Sequence, residues 1–100
     1  DFPDYSGKEL TEIFKMYMKK NQYTLGDGAE EYLKERFDYA VAHKDRNFGN
    51  ARFARNVFEK SIQQQANRLS TQYNLSKEEL TELTIDDLKG GFSVRSRIEQ

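Results

Sequence analysis

The chain has 100 residues, 36% hydrophobic and 33% charged, with Lys and Arg numbering 16 against 17 Asp and Glu for a net charge of -1. That length suits one compact domain, on a scale of about 100–150 residues per domain, and a mean hydropathy of -0.96 describes one rich in surface. The balance excludes a global basic field for nucleic acid or anionic membrane. Having no cysteine and only His43, the chain lacks disulfides, thiolate chemistry and the ligands of a zinc cluster.

No apolar run approaches the roughly 20 residues that span a bilayer, and the N-terminus lacks a signal pattern, so a cytoplasmic setting without membrane or nucleic-acid partners is expected. The start at Asp1 rather than Met is read as that of a piece excised from a longer protein.

Residues 6–20 place Leu10, Ile13, Phe14, Tyr17 and Met18 on one helical stripe, with Lys8, Glu9, Glu12, Lys15 and Lys19 opposite. Ser6 is a suitable N-cap, and Pro3 marks extended chain before it. Tyr23–Leu25 reads as a very short strand or extended turn. Asp27, with Glu30 three residues on, then caps a second helix over about 28–43 that carries Ala29, Leu33, Phe37, Ala40 and Val41.

A polar break leads to Phe48-Gly49-Asn50, with Asn50 as N-cap of the longest helix, from Ala51 to about Gln72. Its apolar face is Ala54, Val57, Phe58, Ile62, Ala66 and Leu69. Ser76 and Glu79 have capping-box spacing, which starts a short fourth helix carrying Leu80 and Leu83. Residues 83–85 offer a second very short strand, and residues 84–88 read as strand and turn or as one more helical turn. Either is stopped at Gly90-Gly91. The expected fold is all-α, a four-helix bundle with two very short strands, occupying residues 1–89 ahead of a frayed tail over 90–100.

No phosphate loop, nucleophile elbow or HExxH motif is present. Asp86-Asp87 could pair as acids, but neighbours on a helix point apart, and a capping turn explains them. His43 falls at the C-terminal end of the second helix, where the dipole favours an imidazole. The segment Gly49-Asn50-Ala51-Arg52 is different. It puts Arg52 in the first turn of a helix, beside unpaired N–H groups and the positive end of the dipole, with Arg55 one turn on. Cations are unfavourable there unless an anion sits nearby, and phosphate is the usual one. The alternative is an exposed helix face on which Arg55 pairs with Glu59.

Phe2-Pro3-Asp4-Tyr5, Glu9-Leu10, Ile13-Phe14, Tyr23-Thr24-Leu25, Phe48-Gly49-Asn50-Ala51-Arg52, Arg55-Asn56, Phe58-Glu59 and Gln65-Ala66-Asn67-Arg68-Leu69 follow in order. Over roughly residues 1–88 this succession resembles the C-terminal lid subdomain of AAA+ ATPases in the group of stage V sporulation protein K and the red-type Rubisco activase CbbX.

The resemblance implies a helical lid that closes over ATP bound to an upstream P-loop core of the same chain. It assigns Arg52 as sensor 2, reaching the γ-phosphate, with Gly49 and Asn50 shaping its turn and Arg55 as a second contact or brace. Ile13 and Tyr17 would lend apolar surface to the adenine pocket or simply pack in the core. It further implies Mg bound by residues outside this chain, a hexameric ring of neighbouring subunits and an unknown protein target. The 100 residues alone would not hydrolyse ATP. A stand-alone helical interaction module and a DNA-binding helical domain are the competing readings, the latter opposed by balanced charge and by Glu59 on the same helix as Arg52.

Overall fold

The computed structural model describes residues 5–43 and 51–92. Five helices and two short strands follow in order: α1 (Gly7–Lys20), β1 (Thr24–Leu25), α2 (Ala29–Ala42), α3 (Ala51–Leu69), α4 (Lys77–Thr81), β2 (Glu82–Leu83) and α5 (Ile85–Phe92). Among the described residues the architecture is an all-α bundle with one more helix than the four expected.

α1 starts where its sequence says it should. Ser6 Oγ accepts the Glu9 N–H at 3.1 Å and the Glu9 carboxylate accepts the Ser6 N–H at 2.8 Å, a closed capping box. Its stripe sends Leu10, Phe14 and Met18 into the core, while Ile13 and Tyr17 rest on its edge. The helix stops at Asn21, whose side-chain amide donates to the Tyr17 carbonyl at 2.8 Å, and Gln22 then turns the chain at φ 64°.

α2 begins one residue later than expected. The Ala29 N–H donates to the Gly26 carbonyl at 3.1 Å, closing a turn in which Gly28, at φ 72°, is the N-cap without a side-chain bond. Only the residue without a Cβ takes that left-handed conformation cheaply. Asp27 is therefore an exposed turn residue, not the cap.

β1 and β2 pair in parallel, Thr24 opposite Glu82 and Leu25 opposite Leu83, close to the positions expected for two short strands. Leu83 is wholly buried in β2, whereas Leu80, expected beside it on one helix, is half exposed on α4. The Ser76–Glu79 capping box starts α4 as its spacing predicts, with bonds of 3.1 and 2.8 Å.

α3 ends at Leu69, about a turn before Gln72, because the Ser70 hydroxyl and the Ser70 N–H both take the Asn67 carbonyl, at 2.8 and 3.3 Å. Its buried face also differs from the apolar pattern. Ser61 and Gln65 lie inside, Ile62 is half-buried and Ala66 is exposed. Each buried polar group is satisfied, Ser61 Oγ donating to the Val57 carbonyl at 2.7 Å and Gln65 Nε2 to the carbonyls of Leu80 and Glu82 at 3.0 and 2.9 Å.

The largest departure is α5, which runs through Gly90-Gly91 to Phe92 instead of stopping at the glycines. α5 lies along α3. A Cβ on Gly91 would meet Ser61 Oγ and stand 2.7 Å from the Val57 carbonyl oxygen, and one on Gly90 would meet the Gln64 side chain. The pair is a contact surface for a neighbouring helix. Phe92 packs edge-on to Phe37 at 5.1 Å between ring centroids. The fraying expected beyond it falls on residues outside those described.

The core gathers Leu10, Phe14 and Met18 of α1, Ala29, Leu33 and Phe37 of α2, Ala54, Val57 and Phe58 of α3, and Leu83 and Leu88. Phe14 is its centre, meeting Phe58 edge-on at 5.4 Å and Phe37 at 6.2 Å. Such ring pairs add about 0.5–1.5 kcal/mol beyond the area they bury.

Candidate functional site

Arg52 occupies the first turn of α3, and that turn contains no acidic residue. Its side chain is exposed, and among the described residues it has no hydrogen-bond or ion-pair partner. A guanidinium is thus held at the end of a helix whose dipole opposes it, free to meet an anion from outside. Gly49 and Asn50, the residues expected to shape this turn, lie outside the described residues.

Arg55 points to solvent one turn later and donates from Nε to Glu59 at 3.2 Å. This is the i, i+4 pair that the alternative reading anticipated, worth about 0.3–0.5 kcal/mol at an exposed site. It engages Nε and leaves the rest of the guanidinium fork available.

Ile13 and Tyr17 are one helical turn apart on α1 and both lean on the core, and each also borders a groove among the described residues. Ile13 borders a groove of about 710 Å³ with Tyr5, Ser6, Lys8, Glu9 and Glu12. Tyr17 borders another of about 370 Å³ with Met16, Lys19 and Lys20, while its ring stacks on Phe58 at 5.8 Å. Both residues are partly buried against the core.

His43 caps the C-terminus of α2, its Nδ1 lying 3.0 Å from the Tyr39 carbonyl and its ring stacking on Tyr39 at 4.0 Å. Asp86 and Asp87 part company, as neighbours on a helix must: Asp86 is exposed and Asp87 is 1% exposed. The Asp87 carboxylate accepts the Thr84 N–H at 3.0 Å, the Thr84 hydroxyl accepts the Asp87 N–H at 3.3 Å, and together they cap α5.

The same carboxylate has a partner on another helix. Arg68, near the end of α3, donates from Nε to Asp87 Oδ1 at 3.0 Å and from Nη2 to Oδ2 at 2.8 Å. This two-pronged pair raises the Arg68 pKa above its ordinary value, chiefly through the hydrogen bonds to Asp87, with burial acting against them. The T-x-x-D spacing was a legible sign of the cap. Nothing in the local sequence pointed to Arg68.

Among the described residues, no three His, Asp or Glu side chains converge to hold a metal ion. No described helix is long and apolar enough to cross a membrane. The arrangement offers the Arg52 guanidinium, with the unused part of the Arg55 fork one turn on, to an anionic oxygen. It suits a phosphate contact.

The AAA lid domain family matches residues 6–98, beyond the residue-88 limit of the recognised succession. Stage V sporulation protein K of Bacillus subtilis (strain 168) is 41% identical over 92 residues, covering 88% of this chain and 28% of that protein. A protein CfxQ homolog of Trieres chinensis is 36% identical over 91 residues, covering 88% and 30% respectively. The chloroplastic ribulose bisphosphate carboxylase/oxygenase activase of Cyanidioschyzon merolae (strain NIES-3377 / 10D) is 30% identical over 104 residues, covering 100% and 32%. The chain thus spans about a third of the length of these relatives.

Proposed function

The chain belongs to the AAA lid domain family, and from that membership we propose that it is the nucleotide-sensing lid of an ATP-hydrolysing ring protein, with Arg52 as the sensor. The observation that carries the proposal is the Arg52 guanidinium in the first turn of α3, without a partner among the described residues. An upstream core of the same protein would hold ATP and its Mg ion, which supplies charge neutralisation at the phosphates. This chain would add a charge-assisted contact from Arg52 to the terminal phosphate, with Arg55 as a second contact or brace. Gly49 and Asn50 would set the turn before Arg52, and Ile13 and Tyr17 would present apolar edges toward the base.

Because the Arg52 contact exists with triphosphate and is lost after cleavage, it biases the lid between two positions. In a hexameric ring that motion would pass to neighbouring subunits and to a protein target. The names of the relatives, one an activase of ribulose bisphosphate carboxylase/oxygenase and another a sporulation protein, accompany lids of comparable identity to this one. This supports reading target choice as a matter of other parts of the protein.

In the full-length protein, Arg52→Ala is expected to lower ATP turnover about ten- to a hundredfold, the worth of one hydrogen bond between charged groups. The melting temperature of the 100-residue chain should stay within about 3 °C, since an exposed side chain is removed. Unchanged turnover would overturn the sensor assignment.

A further inference from the structure

Arg52 is at one end of α3, and near the other end, about 24 Å along the axis at about 1.5 Å per residue, Arg68 is fastened to α5 through Asp87. Asp87 is buried and the Arg68 side chain only partly so, and such an ion pair is a poor route to stability, because desolvating the carboxylate offsets much of what the attraction returns. An apolar pair of similar size would fill the space between the helices as well.

What the two-pronged bond adds is direction. Two parallel N–H bonds at 3.0 and 2.8 Å resist both sliding and rotation of α5 against α3. The Thr84 N–H, at 3.0 Å from the same carboxylate, ties this junction to the backbone where β2 passes into α5. One turn on, Gly90 and Gly91 let α5 lie close against α3.

We infer that Arg68 and Asp87 form a lock that makes α3 and α5 one rigid arm and so positions Arg52 against the nucleotide phosphate. The inference rests on the proposed role of Arg52. With the lock intact, a pull on Arg52 moves the whole lid. With it loosened, α3 follows the phosphate by itself and closure uncouples from hydrolysis. Both are positioning residues, acting through Arg52.

The test is the paired variant Arg68→Met with Asp87→Asn in the full-length protein. It removes both charges together, so the buried carboxylate is not left without its partner, and Asn keeps an oxygen for the Thr84 N–H. The expected result is a kcat lowered about three- to tenfold, with the KM for ATP changed less than about twofold. Melting temperature should stay within about 3 °C. In an Arg52→Ala background the pair should cause no further loss, since its route to the phosphate is gone.

An unchanged kcat, whatever the melting temperature does, would overturn the lock, as would a loss that multiplies with that of Arg52→Ala. Arg52→Ala by itself reports on the sensor reading. If it leaves turnover unchanged while the paired variant slows it, both the sensor and the positioning route fall. Should the paired variant not fold, Arg68→Lys keeps the charge and loses the fork. It is expected to lower kcat at near-parental melting temperature, and parental kcat would overturn the proposal.

Discussion

Arg52 and Arg55 are both exposed cations near the start of α3, yet they differ in what surrounds them. Arg55 has Glu59 at 3.2 Å, and Arg52 has no partner among the described residues. Glu59→Ala removes a solvated pair and should change folding free energy by no more than about 0.5 kcal/mol in urea titration. A larger loss would mean that Glu59 serves packing as well as charge. Phe14 stands at the other extreme, fully buried between Phe37 and Phe58. Phe14→Ala should cost about 3–5 kcal/mol by the same titration, through lost transfer energy and the cavity left behind. A loss below about 2 kcal/mol would show that the surrounding rings collapse into the space.

At the scale of elements, two kinds of glycine behaved differently. Gly28 holds φ 72° at the N-cap of α2, which displaced the expected start from Asp27. Gly90 and Gly91 lie inside α5, where residues that weaken a helix by about 1 kcal/mol each are retained because α3 passes close by. Gly91→Ala sets these effects in opposition. Helix propensity alone predicts a gain, whereas a Cβ 2.7 Å from the Val57 carbonyl oxygen and against Ser61 Oγ predicts overpacking. The expected net result is a loss of about 1–2 kcal/mol. Ser61→Ala should rescue it only in part, because the Val57 carbonyl is backbone and stays. A stabilised Gly91→Ala protein would mean that α5 can back away from α3.

Over the described residues, helices, short strands and the half-buried Arg68–Asp87 pair make one body with outward-facing cations on its surface, and they supply no metal cluster. Such a body can carry a contact between sites. The 100-residue chain should release no phosphate from ATP above background in a coupled assay. Turnover abolished by Arg52→Ala in that same chain would refute its reading as half of a site.

Much of this was legible in sequence. The caps at Ser6 and Ser76, the apolar stripes of α1 and α2, and Arg52 at the head of α3 all arise from residues within four positions of one another. Helical periodicity and capping act over that span. The succession through Gly49-Asn50-Ala51-Arg52 also led to the right family. Tertiary structure decided the rest: which face of α3 is buried, the continuation of α5 through its glycines, and the junction of Arg68 with Asp87, 19 residues away. Close approach of helices and the pairing of distant charges depend on how finished elements meet in space, which no local window of residues contains.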